Sequence, residues 1–418
     1  MIRIENRIKV CKYLNWIERE RIMKRIIYIG AVVISIITLY GCTKDENSSD
    51  TETTIDGWTL ETAAPDVVVA NGEINATLDQ EGKVHICYYD DGVGSNQSSI
   101  KYTTNQSGSW KTTTIATSDI SKYFEGGTCG IAVDEAGHAH IVHAITDNND
   151  YDGTNYSSIV YTNNVSGQWV SRTIFPDTDQ DGMFFNCGLE MDHQGKMHIV
   201  GIYAGLINDI SGDYIVYASN ASGDWIHETV TKLLEFIPAG PRISIDGLNI
   251  PHVGYSQNDC EDLYAANRVS SGNWNNHRLV QNAGQGNSGS MFVSALDLTT
   301  DISGNESAVF AEIEQGKFWL YDQNLLSFLA MEPGGNIASP KILTDSEGYL
   351  HYLYGIIHGD YYILYYGAND LGGYMVTQIL GFHAYSGNSE LLYDAKNSTA
   401  YIIYCDETNK LKIAHKMI

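Results

Sequence analysis

Asp177, Asp179 and Asp181 alternate along one short run that closes on Gly182. Carboxylates at every second position, followed by a glycine that permits a sharp turn, wrap a hard cation such as calcium in oxygens. The twelfth position of the run is Gly188 rather than a glutamate, with Glu190 nearby, so the run is not an EF-hand. Asn148–Gly153 is a sparser echo that places Asp150 and Asp152 in the same alternation. Each run reads as a calcium loop or as a solvated acidic loop.

Acid–base chemistry on a sugar needs paired carboxyls, or a histidine and a tyrosine, facing one another across a cleft. The residues that fit by position are Glu73, Glu125, Asp181, Glu235, Glu332, His383, Tyr123 and Tyr385. No spacing singles out a pair among them. Tyr123 and Tyr385, with Asp150 and Asp152, also suit glycan binding, through ring stacking and acceptance of hydroxyl hydrogen bonds.

Five further histidines, His85, His140, His198, His252 and His351, look at first like a metal or acid–base set. Each one ends the same unit, however. Asp-x-x-Gly-x-x-His occurs as Asp79/Gly82/His85, Asp134/Gly137/His140, Asp192/Gly195/His198 and Asp345/Gly348/His351. Asp246/His252 lacks the glycine, Asp301/Gly304 ends at Ser307, and Asp394 is followed by Asn397 and Ala400. The seven aspartates stand 55, 58, 54, 55, 44 and 49 residues apart. A period near fifty is the mark of a propeller or solenoid. A residue that recurs once per repeat is held apart from its copies, so these histidines are structural, each with a local partner such as the repeat aspartate or a backbone carbonyl. The aspartate itself caps a tight turn through Asx-type hydrogen bonds.

The rest of each unit supplies the strands. After the histidine comes an apolar run such as Ile86–Tyr89, then a polar loop, then a run ending in tyrosine at Tyr102, Tyr161 or Tyr217. A Ser-Gly-x-Trp turn follows at Trp110, Trp169, Trp225 and Trp274 and opens a β-branched run. These are four strands per unit, with the tryptophan placed to wedge between units. The seventh unit stops at Ile418 with three strands, whereas Gly57-Trp58 starts a lone fourth strand near the other end. The fold class is therefore all-β: a single seven-bladed β-propeller of four-stranded blades, closed by an N-terminal strand that completes the last blade.

In propellers the loops from fourth to first strand and from second to third share one face around the axis. The former are read at 118–127, 176–186, 233–241, 281–290, 331–340 and 381–389, with 64–72 in the first junction. The latter are read at 90–98, 146–158 and 203–213. The acid–base candidates and both acidic runs fall on this face.

The repeats resemble sialidase-like (BNR-type) and fucose-lectin-like bacterial propellers over roughly residues 57–418, through the Asp-Gly turn, the Tyr-ended strand and the Gly-x-Trp. The acidic run at 177–182 is similar to calcium loops inserted in other propellers. The resemblance implies a glycan-directed face. Two features depart from the sialidases. Their Ser-x-Asp-x-Gly-x-x-Trp box is missing from the sequence. They also grip a substrate carboxylate with three arginines, and the chain beyond Cys42 has only Arg172, Arg242, Arg268 and Arg278. Arg172 and Arg278 read as outer-strand residues and Arg268 as lying past the third strand, which leaves Arg242 alone on an inner strand.

Residues 23–41 read as a secretion leader, with Lys24-Arg25 ahead of an apolar core and Leu39-Tyr-Gly-Cys42 at its end. This end resembles a bacterial lipobox, so Cys42 is the expected lipidation site, and Thr43–Glu46 resembles a surface-export signal. Residues 1–22 read as an upstream mis-start and 42–55 as a tether to the domain at 56–418. The expected address is the outer membrane, lipid-anchored and surface-exposed. The whole chain carries a charge of −26; without residues 1–42, 17 basic residues face 48 acidic ones, a charge of −31. Such a surface repels nucleic acid.

Cys87, Cys129, Cys187, Cys260 and Cys405 form neither a disulfide framework nor a zinc pattern. Cys129 and Cys187 each precede their repeat aspartate by five residues, so they are either bonded across adjacent blades or two buried thiols. Three functions fit: a glycan-binding surface lipoprotein first, then a glycoside hydrolase or polysaccharide lyase on the same scaffold, or a protein-binding adhesin.

Overall fold

The Asp-Gly turn decides how each blade begins. In the first, Asp79 Oδ1 accepts hydrogen bonds from the backbone N–H groups of Glu81 (2.9 Å) and Lys83 (2.8 Å). The N–H of Gly82 donates to the Asp79 carbonyl at 3.0 Å. Gly82 takes φ +74°, a left-handed conformation that suits glycine. In the fourth blade Asn249 fills the glycine's place at φ +63°, the one side chain besides aspartate that tolerates it well. That substitution explains why the unit at Asp246 works without its glycine.

The computed structural model describes residues 53–55, 57–64, 74–90, 97–118, 122–123, 128–149, 154–175, 182–234, 240–257, 262–280, 293–312, 317–323, 327–331, 337–358, 361–369, 375–406, 408 and 410–418. Among them the strands form seven antiparallel four-stranded blades. Blade 1 runs Ile74–Leu78, Val84–Asp90, Ser99–Thr104, Lys111–Thr117 from axis to rim. Blade 2 is Cys129–Val133, Ala139–Asn149, Thr154–Asn163, Val170–Phe175, and blade 3 is Met183–Met191, Met197–Ile207, Ile210–Ser219, Ile226–Lys232. Blade 4 is Arg242–Ile245, Pro251–Gln257, Asp262–Ser270, Asn273–Val280, and blade 5 is Val293–Thr300, Glu306–Glu312, Lys317–Asp322, Ser327–Met331. Blade 6 holds Ile337–Thr344, Leu350–His358, Tyr361–Ala368 and the first part of Met375–Asp394. The same long strand then becomes the inner strand of blade 7, followed by Thr399–Asp406 and Leu411–Met417. Trp58–Ala64 pairs antiparallel with Leu411–His415 and completes that blade, as the lone Gly-Trp strand required. Thr53–Ile55 folds back on it as a short outer addition.

The sequence units are linked by a side-chain relay. Asp79 Oδ2 accepts from His85 Nε2 (3.2 Å), and His85 Nδ1 lies 2.6 Å from the Tyr102 hydroxyl. A carboxylate only accepts, so the ring proton sits on Nε2 and the tyrosine donates to Nδ1. The same pairings recur at His198 with Tyr217 and at His351 with Tyr366. Each tyrosine then meets the tryptophan of the next blade edge-on. Tyr102–Trp169, Tyr161–Trp225, Tyr217–Trp274 and Tyr366–Trp58 have centroids 5.3, 5.3, 5.0 and 5.7 Å apart. The histidines are structural, as their periodicity requires, and the tryptophans do wedge between blades. Burial holds His85, His140 and His198 below the usual imidazole range despite the carboxylate beside each ring.

Three expected loops are partly strand. The segment 203–213 is a continued hairpin of blade 3, closed by Asn208 (φ +51°) and Asp209 (φ +62°). Two residues with positive φ make the tight turn that matches strand twist. Much of 146–158 is likewise paired, out to Asn149 and Thr154. The 381–389 segment lies inside the long strand shared by blades 6 and 7, with an irregularity between Ala384 and Ser389. Arg268 lies on the third strand of blade 4 rather than beyond it, and its guanidinium grips Glu228 of blade 3 at 2.6 and 3.0 Å.

Candidate active site in the central channel

Inner strands expose every second side chain to the propeller axis, because successive residues of a strand point to opposite faces. Four residues before each repeat aspartate stand Asn75, Gly130, Gly188, Arg242, Asp297, Lys341 and Glu390. All but Gly130 line a cavity of about 470 Å3 that touches the inner strand of every blade. Two residues before Asp192, Glu190 lines the same cavity. One axis thus gathers three carboxyls, two cations and an amide.

The glycines leave room. A Cβ on Gly130 would lie 2.8 Å from the backbone nitrogen of Leu189, so the inner strands of blades 2 and 3 approach closely there. Opposite them, the charged side chains pair. Lys341 Nζ lies 2.7 Å from Glu390 Oε2, and Asn75 Nδ2 donates to the same oxygen at 3.4 Å. Arg242 Nε stands 3.8 Å from Asp297 Oδ1. Asp297 Oδ2 also accepts from the N–H of Ile342 (3.0 Å), and Glu390 Oε1 from that of Leu391 (3.1 Å). The carboxyls are therefore fixed from two sides.

Their protonation is displaced. Burial raises Asp297, only partly offset by Lys341 and Arg242. Burial raises Glu390 too; Lys341 opposes the rise and Asp297 adds to it. Glu190 is open to channel water yet ringed by protein, so its loss of hydration is partial. The charges of Asp297 and Glu390 act in the same direction, and with burial as the largest cause they push its carboxyl up to about 8. The Glu190 carboxyl is thus pushed above the ordinary carboxylate range, in one cavity with carboxylates held by cations. Raised carboxyls gathered with cations in one cleft mark a candidate catalytic site.

None of the sequence-derived candidates is among the described residues that line the cavity. Glu73, Glu125, Asp150, Asp152, Asp177, Asp179, Asp181, Glu235 and Glu332 lie outside the described residues, as does the leader with Cys42. Tyr123 belongs to a two-residue strand, Lys122–Tyr123, whose backbone pairs with Asp147 and Thr146 on the long blade 2 hairpin. His383 sits opposite Ile363 in the long shared strand, with Tyr385 two residues on. Among the described residues no group of three His, Cys, Asp or Glu side chains is placed to hold a metal ion. The channel set other than Arg242 was missed because its residues differ in type from blade to blade. Counting four back from each aspartate finds all of it except Glu190, which stands two back.

Cys129 and Cys187 are both buried and are not bonded to each other. Cys187 lies 3.7 Å from the Thr128 hydroxyl, and the sulfur next to Cys129 is that of Cys87.

No protein-family model matches the sequence, and no curated protein matches it. Among solved structures, a PL25 ulvan lyase bound to -[GlcA(1-4)Rha3S]- is similar over 84% of this chain and 94% of its own, at 11% identity and a TM-score of 0.53. The polysaccharide lyase Uly1 aligns over 88% of this chain and 94% of its own, at 10% identity and a TM-score of 0.49. The Trypanosoma rangeli sialidase in complex with sialic acid aligns over 88% of this chain and 60% of its own, at 10% identity and a TM-score of 0.45. The likeness is one of fold: this chain is similar in architecture to the PL25 ulvan lyase.

Proposed function

We propose that the protein is a glycan-processing propeller that holds a polysaccharide at the channel and cleaves it. The observation that carries this reading is the gathering of Glu190, Asp297 and Glu390 with Arg242 and Lys341 in one cavity, where the Glu190 carboxyl is pushed up. A raised carboxylic acid donates a proton to a leaving oxygen, while an ionised neighbour serves as base or nucleophile. Arg242 and Lys341 supply the positive charge that an acidic sugar needs within a strongly acidic surface. The chemistry in the ulvan lyase comparison, a glucuronate-containing chain, is in keeping with that charge. The chain's own leader and Cys42 support a lipid-anchored, surface-exposed address, and the Asp177–Asp181 run stays a proposed calcium loop on the glycan face.

The test is to incubate the chain from Thr43 onward with neutral and uronate-containing polysaccharides, with calcium and with chelator. New reducing ends that lack ultraviolet absorbance mark hydrolysis, and unsaturated ends mark elimination. Retention in an affinity gel without products would replace cleavage by binding alone. No product and no retention across the panel would overturn both and leave a protein partner in front.

A further inference from the structure

Two places near the blade junctions are equivalent from one repeat to the next. One is the residue eight beyond the repeat aspartate, on the second strand. The other is the residue five before the next aspartate, on the following inner strand. At the first place stand Cys87 in blade 1 and Val142, Val200, Val309 and Leu353 in blades 2, 3, 5 and 6. At the second, blade 2 has Cys129 and blade 3 has Cys187. Only the junction of blades 1 and 2 puts cysteine at both. Cys187 instead shares the core of the blade 2–3 junction with Val142, so it has an apolar residue where Cys129 has a thiol.

The two sulfurs at the first junction are in contact. Cys87 Sγ and Cys129 Sγ are 2.8 Å apart, at 0% and 1% exposure, inside a core with Ile100, Ile131 and Ile141. That separation exceeds a disulfide bond of about 2.05 Å by roughly 0.8 Å, a gap that small changes in two side-chain torsions close. Val84–Asp90, which carries Cys87, is paired along both edges, and Cys129–Val133 is paired along one.

We propose that Cys87 and Cys129 are joined by a disulfide that staples blade 1 to blade 2. The oxidant is a disulfide of the thiol-exchange type. One cysteine thiolate attacks it and forms a mixed disulfide; the second thiolate displaces the carrier's sulfur and completes the Cys87–Cys129 bond. Two protein thiols are oxidised, one carrier disulfide is reduced to two thiols, and two protons pass from the former to the latter. Because both sulfurs are buried in the finished fold, the bond forms as the blades assemble. It then encloses 42 residues and limits the unfolded chain.

The experiment refolds the full chain in a mixture of oxidised and reduced glutathione, quenches it with an alkylating reagent in denaturant, and maps the peptides without reduction. The expected result is a linked pair of peptides carrying Cys87 and Cys129, with Cys187 and Cys405 alkylated. Alkylated Cys87 and Cys129, or a link from either to any other cysteine, overturns the proposal. A second readout guards against a variant that packs poorly. Reduction lowers the Tm of the wild type by about 5 °C and leaves that of a C87A/C129A double variant unchanged. An equal fall in both, or a fall in neither, overturns it as well. Glycan cleavage enters neither readout, so the outcome is independent of the function proposed above.

Discussion

Oε1 of Glu306 lies 2.7 Å from Nδ1 of His252, in the place where blades 1, 2, 3 and 6 put a tyrosine hydroxyl. Blade 4 has Ala265 at the tyrosine's position, paired with Gly254. The buried carboxylate that replaces it comes from the next blade. Its other oxygen lies 2.6 Å from Nε2 of His277, on the rim strand of blade 4. One carboxylate therefore joins two strands of one blade to a strand of another.

This triad has a defined pH window. Burial by itself would raise the Glu306 carboxyl, but the hydrogen bonds from His252 and His277 outweigh it and leave it below the usual range. Its contribution is present above the unfolded carboxylate value and is lost as pH falls through the lower folded value. The hydrogen bond to Glu306 raises His277. That contribution is complete below about pH 6.5 and is lost as pH rises through the higher folded value. Glu306→Gln should therefore cost about 2–4 kcal/mol between roughly pH 5 and 6.5. The cost should shrink towards both ends. Urea unfolding of wild type and variant at pH 3.5, 6 and 8.5, as approximate points on that window, checks the shape; a cost independent of pH would refute it.

His143 has the opposite sign. It stands nine residues after Asp134, where Tyr88, Tyr255, Phe310 and Tyr354 stand in other blades. Burial pushes its imidazole down to about 4. A depressed histidine stabilises the fold above the unfolded value of about 6.5 and loses that contribution as pH falls towards the folded one. Between pH 7.5 and 5 the loss is about 2 kcal/mol. His143→Phe should abolish this part of the acid slope, whatever it does to stability at neutral pH. Paired chemical melts at the two pH values read the difference directly.

The latch makes its own prediction. Trp58 is 1% exposed and meets Tyr366 edge-on, within the core that blades 6 and 7 share. Trp58→Ala should cost about 3–5 kcal/mol. Removing residues 53–64 altogether leaves Leu411–Met417 as an open sheet edge, the kind of edge that pairs with other chains. Light scattering should show association of the truncated protein and not of the full one.

Much of this fold was legible because Asp, Gly, His, Tyr and Trp each repeat in type. Asp79, His85, Tyr102 and Trp169 do the same work as their counterparts in blades 3 and 4, Asp192, His198, Tyr217 and Trp274, so their period shows in the letters. The channel repeats in place but not in type: Asn75, Arg242, Asp297, Lys341 and Glu390 share a level and no chemistry. Glu306 was invisible for a related reason, since it substitutes for a tyrosine from a different strand and blade. Loops were overcalled wherever polar turn residues sit inside paired backbone, as at Asn208-Asp209, because composition does not report hydrogen bonding. The candidates on the loop face were chosen by loop position alone, and position names no partner.

The channel gives the most direct test of the chemistry. The Glu190 carboxyl is pushed up to about 8, so a reaction that uses it as an acid should lose rate as pH rises through that value. The acid limb belongs to the base, whose candidates Asp297 and Glu390 are both raised by burial. The pH–rate profile should thus be bell-shaped, with both limbs higher than free carboxylates would give. Glu190→Gln keeps the volume and removes the proton donor; kcat should fall about 100- to 1,000-fold with the alkaline limb lost. Lys341→Met acts differently. It removes the cation 2.7 Å from Glu390, which pushes that carboxyl further up and shifts the acid limb to higher pH. It should also weaken uronate-containing substrates more than neutral ones, as a rise in KM of about tenfold. An E190Q protein with unchanged kcat and an unchanged alkaline limb would remove Glu190 from the reaction and with it the catalytic reading of the channel.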